Sequence, residues 1–222
     1  MKTKLRMVAA VAMLVAGGVA QAGDLTSTVT ATSDYDWRGI TQTAEAPALQ
    51  ASIDYAFGNG FSLGAWASNV DFGPGTDSNV ELDLYGAYAK SYENGFNWTV
   101  GFTDYTYPSG DDIEFLEVFG GVGYKNLSAK YWYSDDYGNS GMSAYYLEAN
   151  YTQPLPRDFS LGFHVATTGG DAWKAAGGGY EDYAISVSKP IGRFTASLKY
   201  AASNGFSDRL IFSIATTFPW KD

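Results

Sequence analysis

Cysteine is absent from the 222 residues and histidine occurs once. The first absence excludes a disulfide framework, a thiolate metal site, a cysteine nucleophile and a lipid-modified cysteine anchor. The second leaves too few imidazoles for a histidine-ligated metal centre, so neither a metal nor another cofactor is expected. Basic residues are scarce as well, with 14 Lys and Arg against 24 Asp and Glu, a formal charge of -10 and a pI near 4.4. Such a chain lacks the basic stripe that neutralises phosphates, which argues against nucleic acid as a partner. Charged residues make up only 17% of the chain, whereas aromatic residues reach 16%, with 17 Tyr, and Gly numbers 26. A disordered chain shows the opposite balance, so a folded, β-rich protein is the expectation.

Long hydrophobic runs are missing with one exception. Lys2, Lys4 and Arg6 precede an apolar run from Met7 to Ala20, which ends in the small-x-small sequence Ala20-Gln21-Ala22. A spanning helix needs roughly 20 apolar residues and this run is shorter, so the pattern predicts a secretion signal removed after Ala22 rather than an anchor. Residues 1–22 are thus read as a signal peptide and residues 23–222 as the mature domain, exported beyond the inner membrane of a Gram-negative cell.

That domain alternates at period two throughout. The apolar rows begin with Leu25, Val29, Ala31, Tyr35 and Trp37, followed by Leu49 to Phe57, Phe61 to Ala67, Val80 to Tyr88, Phe96 to Phe102 and Leu116 to Tyr124. The remaining six are Leu127 to Tyr133, Tyr145 to Tyr151, Phe159 to Val165, Tyr183 to Val187, Phe194 to Tyr200 and Leu210 to Phe218. Connections after even-numbered rows are short, such as Gly58 to Gly60 and Lys125-Asn126. Those after odd-numbered rows are mostly longer and rich in Gly and Asp, such as Gly39 to Ala46 and Gly169 to Gly179. About twelve antiparallel strands, short turns at one end and long loops at the other are the pattern of a transmembrane β-barrel of the outer membrane, whose apolar parity faces lipid. A soluble β-sandwich also alternates, but its exposed parity carries charge, whereas here the second parity is rich in Thr, Ser, Gly and Ala. Aromatic residues near segment ends, among them Tyr55, Phe57, Tyr105, Tyr107, Phe159, Tyr200 and Trp220, are expected in interfacial girdles.

The stretch Val29-Thr-Ala-Thr-Ser-Asp-Tyr-Asp-Trp-Arg-Gly-Ile-Thr-Gln-Thr43, continuing to Pro47, Gln50 and Asp54-Tyr55, resembles the opening of the TorF family of porins, which are outer-membrane proteins of the Gcw_chp type. Trp66 to Phe72, Glu81 to Gly86, Tyr107 to Gly110, Leu127 to Tyr131 and Ser134 to Tyr137 are similar to its later blocks in the same order. Trp37 stands where Phe is frequent in that family, and Thr41 where Ser is common. The resemblance implies an outer-membrane barrel classed as a porin mainly by architecture. It implies no particular substrate and no catalytic residues.

The second parity supplies the candidate pore-lining residues: the acids Asp34, Asp36, Asp54, Glu81, Asp83, Glu117, Glu148 and Asp182, the bases Arg38, Lys130, Lys199 and Arg209, and His164. Acids exceed bases, and acidic linings favour cations, which predicts a weakly cation-preferring channel for ions or small hydrophilic solutes. About eight strands leave room only for side chains and roughly 16 leave an aqueous channel, so twelve predicts a narrow passage. Trp66 and Trp132 share this parity and are expected to narrow it, unless a bulge turns them toward lipid. Arg38, at the end of the first row, is expected to hold the first long loop by pairing with Asp34, Asp36 or an acid of a neighbouring strand.

Two other function classes compete with the channel. A non-conducting structural or adhesive barrel would bind a partner through its loops. An outer-membrane lipid hydrolase would need a serine and a histidine exposed to lipid, but His164 falls on the interior parity, so enzymatic activity is not expected. The acidic loop residues fit no calcium-loop spacing, and Gly177-Gly178-Gly179 lacks the Lys-Ser/Thr of a phosphate loop. The expected partners are outer-membrane lipids and the transported solutes; oligomeric state is left open.

Overall fold

The computed structural model describes residues 23–108, 110 and 112–220. The segment read as a signal peptide lies outside the described residues. Twelve strands follow one another in chain order: β1 (Asp24–Thr32), β2 (Ala48–Ala56), β3 (Phe61–Asn69), β4 (Val80–Ser91), β5 (Phe96–Thr106) and β6 (Phe115–Tyr124) form the first half. β7 (Leu127–Ser134), β8 (Ala144–Pro154), β9 (Ser160–Gly169), β10 (Glu181–Ile191), β11 (Phe194–Ser203) and β12 (Arg209–Phe218) form the second. Every neighbour is antiparallel, and β1 pairs on one side with β2, Thr28 opposite Ser52, and on the other with β12, Thr28 opposite Thr217. The sheet is therefore a closed barrel. Closure leaves no strand edge with unpaired backbone groups, which a hydrocarbon surrounding demands.

Period two then decides which side chains meet which medium. Leu49, Leu84, Val100, Leu116, Leu147, Ile185 and Leu210 point outward, and the most exposed side chains include leucines, with Leu49 at 64% and Leu210 at 67%. An apolar band continuous around the circumference is the lipid-facing surface of a transmembrane barrel. Among the described residues no helix is long and apolar enough to cross a membrane. Among the described residues the one α-helix, α1 (Asp171–Ala175), lies in the long loop between β9 and β10.

The first loop departs from the expected pattern. Instead of continuing β1, the chain leaves the wall after Thr32, and Asp36–Trp37 pairs with Ile40–Thr41 as a small hairpin of its own. Tyr35 and Trp37, expected on the lipid face, belong to this loop and lie inside: Tyr35 is buried with Val70, Tyr105 and Tyr107, and Trp37 packs against the same cluster. Tyr105 and Tyr107 are likewise interior rather than part of the girdle. The cause is parity: Phe102 on β5 points outward, so Tyr105, an odd number of residues on, must point inward. Together these rings give the loop-side half of the barrel an aromatic core.

Candidate functional site

The hairpin crosses the lumen. Arg38 and Gly39 form its two-residue turn, both at positive φ, 54° and 78°, as a tight hairpin whose twist matches its strands requires. Gly39 has a second constraint, because a Cβ there would stand 2.7 Å from the Asp182 Cβ. Near the base of the hairpin, the Lys199 ammonium of β11 donates to Asp36 at 2.8 Å. The Arg209 guanidinium of β12 bonds Asp36 through Nη2 and places Nε 3.0 Å from Asp34 Oδ2, an ion contact without hydrogen-bond alignment. Asp34 Oδ1 accepts from the Thr41 and Thr43 hydroxyls at 2.6 and 3.1 Å, which ties the two arms of the loop together.

At the tip, the Arg38 guanidinium forks onto Glu117 of β6, with Nη1 to Oε1 at 2.8 Å and Nη2 to Oε2 at 2.6 Å. Its carbon lies 4.4 Å from the centre of Trp37, 5.3 Å from that of Trp132 on β7 and 4.3 Å from that of Tyr146 on β8. Tyr105 adds a hydroxyl to Glu117 Oε2 at 3.1 Å, and Tyr180 donates to the Arg38 carbonyl at 2.8 Å. Burial acts to lower the Arg38 pKa, but the adjoining Glu117 carboxylate more than offsets this and holds it above its usual value. The pairing thus departs from expectation, since Arg38 reaches neither Asp34 nor Asp36 nor a neighbouring strand. Within the turn its side chain diverges from theirs, and the nearest available acid stands on the opposite wall.

All thirteen candidate residues point into the barrel. Asp34, Asp36 and Arg38 do so from the hairpin; the other ten do so from strands. Glu81, Asp83 and Glu117 are sealed at 2%, 0% and 1% exposure. Glu81 accepts from Tyr35 at 3.0 Å. His164 on β9 uses both ring nitrogens, Nε2 with Asp182 at 2.9 Å and Tyr146 at 3.0 Å, Nδ1 with Asn150 at 2.7 Å. Glu148 accepts from the Trp132 indole at 2.8 Å and from Asn150 at 2.9 Å, and Lys130, opposite it in register, lies 4.6 Å from the ring centres of both Phe119 and Trp132. Trp66 and Trp132 both stay inward, Trp66 edge-on to Tyr35 with centroids 5.2 Å apart.

Asp54 stands apart, near the turn end of β2, held by Tyr85 at 2.5 Å and Ser52 at 2.8 Å. Around it, apart from Tyr85, the interior parity carries Thr28, Ser62, Gly64, Asn97, Gly123, Ser128, Gly162, Ser188 and Thr217, all of them with small or medium side chains. Sequence reasoning left out Tyr105, Tyr146 and Tyr180 from this site. For Tyr146 the signal was present, since it shares the parity of Glu148. On the loop side a recess of about 450 Å³ opens between the outer face of the hairpin and the next loop, lined by Trp37, Ile40, Gln42, Asp71, Phe72 and Tyr137, among others.

Comparison with known proteins follows this geometry. Residues 16–217 match the family model described as a bacterial protein of unknown function, Gcw_chp. The chain belongs to the Gcw_chp family. No curated protein matches it. Among solved structures it is similar to the KdgM porin, with TM-score 0.58, 11% identity and coverage of 88% of this chain and 99% of that one. Similar too is the NanC porin, with TM-score 0.58, 12% identity and coverage of 87% and 100%. The COG4313 outer membrane channel from Pseudomonas putida F1 follows, with TM-score 0.50, 10% identity and coverage of 92% and 100%. At these identities the likeness is one of fold: this Gcw_chp chain has a porin-like barrel.

Proposed function

We propose that this Gcw_chp protein is an outer-membrane channel through which small hydrophilic solutes and ions diffuse passively, with a weak preference for cations. One observation carries the reading. The turn-side half of the interior is lined mainly by hydroxyls, amides, alanines and glycines, with Tyr85 as the large exception, and side chains so small leave room for an aqueous passage within twelve strands. A barrel that only had to persist in lipid would gain more by packing that space with apolar side chains. The resemblance to the TorF porins and the fold shared with solved porins support the same reading, as does the predicted export signal at residues 1–22. Cation preference follows from the excess of interior acids, because low-dielectric walls focus their field on a narrow passage. The hairpin makes that passage narrow.

Single-channel recording of the refolded protein in a planar bilayer under a salt gradient tests this directly. The expected result is a small conductance with a cation-selective reversal potential that weakens as salt rises, since mobile ions screen such fields over roughly 10 Å at 0.1 M. A barrel shown to be folded by heat-modifiable gel mobility that passes no current would favour the non-conducting barrel with partner-binding loops, the reading to which the sealed Glu81, Asp83 and Glu117 would then point.

A further inference from the structure

Resting on the reading of the barrel as a cation-preferring channel, we propose that the pocket gripping Arg38 is a recognition site for organic cations with a guanidinium or alkylammonium head, and that Arg38 is its tethered occupant. Four of its five walls belong to the barrel: the Glu117 carboxylate, the Tyr105 hydroxyl and the rings of Trp132 and Tyr146. A carboxylate that accepts a planar fork, flanked by electron-rich ring faces, is the chemistry that selects such heads over small hydrated metal ions. Trp37, which arrives with the hairpin, is the fifth wall.

The backbone of the hairpin tip shows how firmly the pocket holds its cation. Arg38 occupies the left-handed region, φ 54°, in a turn where Gly or Asn costs less, so its side-chain contacts hold the tip against backbone preference. A solute entering by the loop-side recess meets Trp37 first, and its cationic head competes with Arg38 for Glu117. Displacing the tip frees the centre of the lumen, so in this mechanism the transported solute opens its own path.

The test uses the full mature barrel, refolded in detergent, with tryptophan fluorescence as the readout because Trp37 and Trp132 flank the pocket. Wild type, Arg38→Ala and Arg38→Ala/Glu117→Gln are titrated with methylguanidinium, with potassium at equal ionic strength as the control. Arg38→Ala should bind methylguanidinium at least about tenfold more tightly than wild type, and the added Glu117→Gln should remove about tenfold of that affinity or more, while potassium leaves all three spectra unchanged. The same weak response in all three proteins, or an equal response to potassium, overturns the proposal. Should Arg38→Ala refold poorly, its folding yield becomes the readout: methylguanidinium should raise it and potassium should not, and equal yields overturn the proposal. Binding needs no current, so the two readings fail separately. A barrel that binds methylguanidinium without conducting refutes the channel and keeps the site; one that conducts without binding refutes the site and keeps the channel.

Discussion

The two halves of the barrel interior share the same strands and the same period, yet they are built in opposite ways. On the loop side, large rings and paired charges pack around the hairpin, and Tyr105, Glu81, Glu117 and Asp83 are sealed from solvent. On the turn side the same parity carries mostly Ser, Thr, Gly, Ala and Asn, with the acids Asp24 and Asp54 and the single ring of Tyr85. Charge has been placed mostly where a partner on another strand or on the hairpin can meet it. A buried ion is tolerable only when paired, whereas a hydroxyl is indifferent to the water beside it.

If this contrast is right, substitutions of similar size should have very different consequences in the two halves. The largest effect is expected from Glu117→Ala, which leaves the Arg38 guanidinium buried without its carboxylate. About 3 to 5 kcal/mol of stability should be lost in urea unfolding from lipid vesicles. Ser188→Ala, on the turn-side interior, should stay within about 0.5 kcal/mol. Equal losses would erase the distinction between the halves.

Next comes the inside against the outside. Leu198→Arg puts a guanidinium into the outward band and should cost about 2 to 4 kcal/mol of insertion, whereas Thr28→Arg, facing the wet interior, should insert nearly as well as the parent. Matching folding yields for the two would refute the assignment of faces. Gly39→Ala should have a smaller effect, of roughly 1 to 2 kcal/mol, because it forces a side chain into a left-handed turn and against Asp182. Its more telling readout is conductance, which should rise as the hairpin loses its seat. The smallest effect concerns selectivity: Asp54→Asn should move the reversal potential toward zero, and Glu81→Gln, behind the hairpin, should move it less. The reverse order would place the ion path on the loop side of the wall.

The strand number, the closure, the lipid face and the inward aim of all thirteen charged and imidazole candidates were legible from the sequence, because a two-residue period is local and survives any tertiary context. The path of the loop after β1 was not. Tyr35 and Trp37 continue the period of β1, so alternation alone prolongs the strand; what diverts them is the attraction of Lys199, Arg209 and Glu117, residues more than 70 positions away, and no local pattern reports such a partner. Arg38 illustrates the same limit. Its need for a carboxylate could be read from the residue, but the identity of Glu117 required knowing that the hairpin crosses to the far wall. Tyr105 and Tyr107 differ in cause: their place near a strand end points to the girdle, whereas their parity points inward, and parity prevails.

The contact of Arg209 with Asp34 and Asp36 bears on how the barrel is made. The first strand and the last meet only at the seam, and the residues that fasten it there, Asp36 and Arg209, lie 173 positions apart. Joining ends so distant is the slowest kind of contact for a chain to find, since the loop must close before any attraction rewards it. The acids just past β1 and the cation that opens β12 act as opposite halves of a clasp, drawing together the first and last strands of the barrel.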